Sequence, residues 1–480
     1  MSCDWRSWLT FDALLHEVNT HQLGQNLQSA LLPFDTLGLP VPPHWRKLVA
    51  TTHAQYLSDF SDTVNPPRPR LDRAQGDRLK IGYICYDFND HPTAHLAEGL
   101  FKFHNQSNAV NVDAYNYGKD DDSTYRRNIE ALVGGRFLEL GGEGHDRAAE
   151  IVRAAEPHVL IDMQGFTLGG RPEITARRIA PIQVNYLIFP GTSGASFIDY
   201  VVGDKWVSPP EHEGHFVEKV ALLPNSYQIN YYERHGVGSG FERGSDAWKE
   251  GRRAAGLKED AFVFANFNKQ DKLEPEIWEV WMQVLARVEN SVLWLLEPSH
   301  RYKGSGVVDN LRREAAARGV ARDRIVFAKR VDKGLHLARV GVADLFLDSF
   351  MYGAHSTATD ALRGGLPMLT VGGDSFARRV GVSLVENLEG EGLKEMLLLS
   401  SMKELADVAV WLAGGGEGGQ VMAWIRERLR EEVTGGGGAL FDTERYTKDF
   451  EQMAKVMWEV RECINPNRGG RNGMHIILGG

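Results

Sequence analysis

The sequence predicts an α/β protein with two lobes, each packing helices against a parallel sheet. Two observations lead there. From residue 79 onward, short apolar runs alternate with helical segments, and runs apolar throughout belong to strands covered on both faces. A polar, glycine-containing stretch near 235–246 then divides these runs into two series, each of ordinary domain length. The 480 residues accommodate both, at about 100–200 residues per domain.

Residues 1–78 read as an N-terminal helical segment and linker. Trp5, Trp8, Leu9, Leu14, Leu15 and Val18 fall at helical spacing, and Asn65-Pro-Pro-Arg-Pro is an extended link because proline restricts its own and the preceding dihedrals. The first lobe is expected over 79–240, with strands at 81–86, 112–117, 159–163, 184–189 and 200–204. The second is expected over 241–445, with strands at 262–267, 292–296, 325–327, 345–348 and 368–371. Ligands of such folds meet the carboxyl ends of the strands, here in a cleft between lobes. The glycine-rich stretches 414–419 and 435–438 read as surface linkers flanking an amphipathic helix at 421–432. Residues 446–480 read as a C-terminal helix and a tail, disordered from Asn465. No 34-residue repeat is visible.

Composition narrows the function classes. With 54 basic and 64 acidic residues the net charge is −10, which argues against non-specific binding to nucleic acid or anionic membranes. No apolar stretch has the roughly 18 residues of a membrane span. The N-terminus lacks the apolar run of a secretory signal. Cys3, Cys85 and Cys463 stand far apart without metal-ligand spacing, as expected in a reducing compartment. The expectation is a soluble intracellular protein, cytoplasmic and/or nuclear.

The most informative stretch is 351–360, Met-Tyr-Gly-Ala-His-Ser-Thr-Ala-Thr-Asp. A strand runs into a glycine-containing turn, and a helix opens at His355-Ser356-Thr357. The first turn of a helix presents unpaired N–H groups and about half a positive charge, so it attracts phosphate. Ser356 and Thr357 add hydroxyl donors, and Asp360 can accept from a ribose. Upstream, Lys269 and Lys272 follow the strand at 262–267, either to meet a phosphate dianion or as a solvated charge pair. Lys333, His336 and Arg339 recur every three residues beside Val331, either as a pocket wall or as a surface stripe. In the first lobe, Asp87 and His91-Pro92-Thr93 follow the strand at 81–86, and Pro92 suits the first position of a helix. There they form an acid/base pair or a cap and a packing group. Pro190-Gly-Thr-Ser-Gly follows the strand at 184–189 as a turn of small residues. No cluster has metal spacing; if a sugar nucleotide is cleaved here, its leaving diphosphate is expected to be neutralised by lysine and backbone N–H groups, with Lys272 in that role.

Taken together and in order, these segments resemble the catalytic region of the protein O-linked N-acetylglucosamine transferases. The matching pieces are Cys3-Asp-Trp, Gly82-Tyr, Asp87-Phe, His91-Pro-Thr-Ala-His-Leu, Ala180-Pro-Ile-Gln and Pro190-Gly-Thr-Ser-Gly. They continue with Asn266-Phe-Asn, Lys272, Asn290-Ser-Val-Leu-Trp-Leu-Leu, His355-Ser-Thr, Asp360 and Leu440-Phe-Asp-Thr-Glu-Arg-Tyr-Thr. The resemblance implies two Rossmann-like lobes of the GT-B type, UDP-N-acetylglucosamine as donor, and protein Ser/Thr hydroxyls as acceptors. It also implies inversion at the anomeric carbon, with no metal and no cofactor. By position, Lys272 contacts the diphosphate, and His355, Ser356 and Thr357 hold the phosphates. Asp360 and Lys333 grip the ribose, while Val331, His336 and Arg339 surround the uracil. His91 and Asp87, beside Thr93, match positions for a general base or for positioning sugar and acceptor. Pro190 and Lys269 fall among the donor-binding positions.

Two positions depart from the family pattern, Lys269 where glutamine is usual and Ile188 where glycine is usual, and the tetratricopeptide repeats that usually precede Cys-Asp-Trp are not seen. The alternatives are a protein O-fucosyltransferase of the SPINDLY type using GDP-fucose, or an inactive nucleotide-binding scaffold. The fucosyl group usually lacks His-Pro-Thr and has threonine where His355 stands.

Overall fold

In this computed structural model the described residues are 3–6, 8–25, 27–60, 69, 71, 76–235, 243–299, 304–436, 438–463 and 474–479. Their strands, in chain order, are β1 (Leu79–Cys85), β2 (Val110–Asn116), β3 (Phe137–Glu139), β4 (Val159–Asp162), β5 (Ile182–Asn185), β6 (Tyr200–Asp204) and β7 (Lys219–Leu223). They continue with β8 (Phe262–Asn266), β9 (Ser291–Leu296), β10 (Ile325–Ala328), β11 (Leu345–Leu347), β12 (Met368–Val371), β13 (Leu398–Leu399) and β14 (Ile476–Ile477). The chain divides into two units: a first of Leu14–Tyr231 with Phe441–Gly480, and a second of Met1–Ala13 with Tyr232–Leu440. The α/β class with two parallel-sheet lobes expected from the apolar runs is what forms.

The first unit holds an eight-stranded sheet in the order β14-β7-β6-β5-β4-β1-β2-β3. β1 pairs in parallel with β2 and β4, Ile81 lying opposite both Val112 and Val159. The chain winds one way from β1 through β3 and the other way from β4, so the carboxyl ends of β1 and β4 flank the point where crossover loops part. The central strands are buried on both faces, as the unbroken apolar runs require. After β1, helix Pro92–Ser107 begins with proline at its first position and ends at Asn108 in the left-handed region, φ 53°.

The second unit holds six strands in the order β10-β9-β8-β11-β12-β13. Winding reverses between β8 and β11, which pair in parallel through Leu345 and Phe264. Trp278, Trp281 and Trp294 fill the core of this unit. Its N-terminal piece packs on it: Cys3 is buried with its Sγ 3.7 Å from Gln270 O, and the Trp5 and Trp278 rings lie 5.9 Å apart.

Several expectations need correction. The strand expected at 184–189 is β5 at Ile182–Asn185, cut short because the chain turns toward Pro190. β3, β7, β13 and β14 went unforeseen. The tail expected to be disordered contributes β14, whose Ile476 lies opposite Ala221 of β7. The stretch 414–419 is no linker beyond Gly415: helix Gly416–Thr434 starts inside it. Gly418 lies so close to the Trp411 backbone that a Cβ would collide with it, so the glycine serves helix packing. Helix Trp8–Gly24 forms as its spacing suggests, yet Leu14 and Val18 lie exposed. The polar divider at 236–242 and the proline-rich link at 65–68 lie outside the described residues.

Candidate functional site

Both winding reversals carry the polar groups singled out in the sequence. In the first unit, Asp87 follows β1 and is buried. Its Oδ2 accepts from Gln164 Nε2 at 2.9 Å and lies 3.5 Å from His91 Nδ1. Gln164 stands just past β4, and its Oε1 accepts from Tyr86 N and Cys85 Sγ, both at 3.3 Å. One glutamine thus ties the loop after β1 to the loop after β4. His91 is the N-cap of helix Pro92–Ser107, its Nδ1 accepting from Thr93 N at 3.3 Å and lying 3.1 Å from Thr93 Oγ1. Its side chain is 36% exposed, so the ring reaches solvent.

This arrangement bears on what His91 can do. While Nδ1 accepts the Thr93 amide, a neutral ring carries its proton on Nε2, which then donates to a ligand. The other tautomer places a proton between Nδ1 and Asp87, frees Nε2 as a base, and gives up the cap.

In the second unit, β8 ends at Asn266, and Phe267 and Asn268 follow it. Asn266 Nδ2 donates to Leu347 O at 2.8 Å, and Asn268 Nδ2 donates to Ser349 Oγ at 2.9 Å. These amides bind the loop after β8 to the loop after β11. A short turn, Gln270–Lys272, then raises Lys272, whose Nζ donates to Gly353 O at 2.7 Å. Burial is the main cause that brings this ammonium down to about 7; Lys269 adds to it, while Asp271 and Asp348 oppose it.

Helix Ser356–Arg363 opens three residues past that carbonyl, and no side chain caps its first turn. Asp348 braces the preceding turn, accepting from Ser349 N and Ala354 N through Oδ1 and from Thr370 Oγ1 through Oδ2. Burial raises the Asp348 carboxyl to about 6. His355 is kept neutral, first by burial and then by Lys272, and its Nε2 donates to Ala377 O at 3.2 Å. His355 therefore brings no charge to an anion. The expected hydroxyl donor Thr357 gives its proton to Asn268 Oδ1, so its hydroxyl is spent within the protein.

One turn on, Asp360 Oδ1 accepts from Lys333 Nζ and from Tyr232 OH, the latter at 2.6 Å. Asp360 Oδ2 lies 4.0 Å from His336 Nε2. Burial alone would raise this carboxyl, but Lys333, His336 and Tyr232 together hold it below its ordinary value. His336 is lowered to about 4, chiefly by burial, so its ring is neutral at pH 7. It packs edge-on against Phe267 at 5.1 Å, and the Arg339 guanidinium lies 5.8 Å from the same ring. Lys333 and His336 are thus mostly enclosed and Arg339 is half-buried, while Val331 stays 41% exposed.

Two residues stand apart. Lys269 is exposed at the head of the Gln270–Lys272 turn. Pro190 is buried in a turn whose Thr192 hydroxyl and Ser193 amide are spent on Glu218, at 2.6 and 2.5 Å. Gly194 closes that turn at φ +66°, against the backbone of Ala50 and Thr51 where a Cβ would collide. Sequence reasoning overlooked Gln164, Tyr232, Asn268, Asp348 and Tyr352. Position at a strand end next to the winding reversal is the signal that would have found Gln164 and Asp348. Among the described residues no three His, Cys, Asp or Glu side chains gather as a metal site needs, and no helix is long and apolar enough to cross a membrane.

A protein-family model described as glycosyl transferase family 41 matches residues 2–235 and 233–450. The chain belongs to glycosyl transferase family 41. It is 33% identical over 469 residues to the probable UDP-N-acetylglucosamine–peptide N-acetylglucosaminyltransferase SEC of Arabidopsis thaliana, across 95% of this chain and 46% of that protein. It is 26% identical to the UDP-N-acetylglucosamine–peptide N-acetylglucosaminyltransferase of Caenorhabditis elegans, across 97% of this chain and 48% of that one. The chain thus spans about half the length of these curated relatives. A solved variant of the Thermobaculum terrenum O-GlcNAc transferase superposes with a TM-score of 0.71 at 24% identity, covering 88% of this chain and 76% of that one. The fold of this family 41 chain is accordingly of the GT-B type.

Proposed function

We propose that this chain transfers N-acetylglucosamine from UDP-GlcNAc to Ser/Thr hydroxyls of intracellular proteins, with inversion and without a metal. The reading is carried by Lys272, an ammonium held at an uncapped helix start by the Gly353 carbonyl. The names of the family 41 relatives and the Lys333–Asp360–Tyr232 set support the donor, since a buried carboxylate with one committed oxygen keeps the other for a ribose hydroxyl. A cytoplasmic or nuclear setting belongs to the same proposal.

In the reaction the acceptor oxygen forms a bond to the anomeric carbon from the face opposite the diphosphate. The bond to the diphosphate oxygen breaks, and its electron pair leaves with UDP. Lys272 and the amides at Ser356 and Thr357 take the charge that develops there, as groups fixed in advance contribute most. In its other tautomer His91 takes the acceptor proton on Nε2; where it only orients the acceptor through Nε2–H, that proton passes to a phosphate oxygen of the donor. Asp87, held by Gln164, selects between these states.

A transfer assay with labelled UDP-GlcNAc and labelled GDP-fucose, using a mixed protein extract as acceptor, tests the proposal. Labelled protein from UDP-GlcNAc alone, undiminished by chelator, is the expected result. Transfer from GDP-fucose, or UDP binding with no transfer from either donor, would replace it with one of the other readings.

A further inference from the structure

We propose that Tyr352 is a positioning residue whose ring face keeps the Lys272 ammonium protonated and aimed toward the diphosphate before a ligand arrives. The inference rests on the reading above, in which Lys272 takes the diphosphate charge. The Lys272 Nζ lies 3.8 Å from the centroid of the Tyr352 ring. The ring in turn packs on His355 at 5.0 Å. Tyr352 and Gly353 are neighbours in the turn after β11, so ring and carbonyl hold the ammonium from one backbone segment, and the same segment starts the helix at Ser356.

An aromatic face suits this task for a physical reason. It stabilises a cation through its quadrupole without consuming an N–H group. Lysine has three such groups, and one goes to Gly353 O. A carboxylate in the same place would stabilise the ammonium more strongly but would repel an incoming diphosphate. The charged groups that face Lys272 are Asp271 on its own turn and Asp348 at the end of β11, with Lys269 opposed to them. Both Asp348 oxygens are already hydrogen-bonded, and His355 is neutral. The ammonium titrates at about 7, so a modest contact decides how much of it is charged near neutrality.

The test is UDP affinity by titration calorimetry from pH 6 to 9, on the wild type, Tyr352→Leu and Tyr352→Phe, each also in a Lys272→Met background. A desolvated cation–π contact corresponds to about one unit of pKa. Tyr352→Leu should therefore bind within about twofold of the wild type at pH 6 and about tenfold more weakly at pH 8 and above. Tyr352→Phe, which keeps the ring, should follow the wild type throughout. In the Lys272→Met background the leucine substitution should add nothing. A weakening equal at every pH, one that persists without Lys272, or one that phenylalanine fails to rescue would overturn the proposal. Should Tyr352→Leu not fold, Tyr352→Met takes its place under the same criteria, and a Tyr352→Met curve that coincides with the wild type from pH 6 to 9 overturns the proposal. A wild type that binds no UDP at any pH refutes the functional reading itself, which is a distinguishable result.

Discussion

In both units the chain reverses its winding beside its first core strand, between β1 and β4 in one and between β8 and β11 in the other. The two reversals place polar loops alike but furnish them differently. The first holds a carboxylate, an imidazole and the amide of Gln164. The second holds a lysine, an uncapped helix start and a buried lysine–aspartate pair. On the proposed function, topology chooses where a ligand meets the strands and the side chains there choose the chemistry: proton handling in the first unit, anion binding in the second.

The comparison is broken most severely by Lys272→Met. Transfer should fall about 10²–10³-fold, the usual size of a lost charge-stabilising donor, and UDP should bind more weakly, while the thermal melt stays cooperative. A labelled-donor assay and calorimetry check this pair. Near-normal transfer would remove Lys272 from the mechanism.

His91→Ala should cost about 10²-fold or more in transfer yet leave UDP affinity as it was, because His91 belongs to the other reversal. Losing the cap on Thr93 should also cost about 1 kcal/mol of stability, and His91→Asn should restore that cap without restoring turnover. A thermal melt run beside the assay separates the two effects. Equal losses of UDP binding in the His91 and Lys272 variants would erase the contrast between units.

The pH dependence sharpens the contrast further. The Lys272 ammonium is disfavoured in the folded protein, so between about 7 and its ordinary 10.5 the unfolded chain binds more protons there. The contribution of this group to stability consequently rises with pH through that window. Anion binding has the opposite sign, because it needs the proton back: UDP affinity should fall as pH rises above 7, with proton uptake in calorimetry at pH 8. The smallest expected effect is Gln164→Leu. Freeing Asp87 should lower turnover about tenfold and shift the pH–rate profile, with UDP affinity unchanged. A loss without any change in that profile would make Gln164 structural only.

Much of this was legible in the sequence because strands covered on both faces read as unbroken apolar runs, and because helix starts carry proline or hydroxyl residues. β7 escaped notice since Lys219 opens it and a histidine-rich turn precedes it, while β3 is short and half exposed. β14 lies in a segment too polar overall to announce a strand, and it is recruited by the edge of β7. The site's charged members were found by spacing. Its bracing amides and rings, Gln164, Asn268 and Tyr352, have no periodicity, and only contacts distant in sequence reveal them. Thr357 shows the limit from the other side: a hydroxyl at a helix start reads as an anion donor until Asn268 is seen to occupy it.

The most direct measurement compares UDP with uridine, by calorimetry, for the wild type and Lys272→Met, with and without chelator. The account predicts that the wild type binds UDP far more tightly than uridine, that chelator changes nothing, and that Lys272→Met loses most of the preference. Equal binding of the two ligands by the wild type, or UDP binding abolished by chelator, would contradict it.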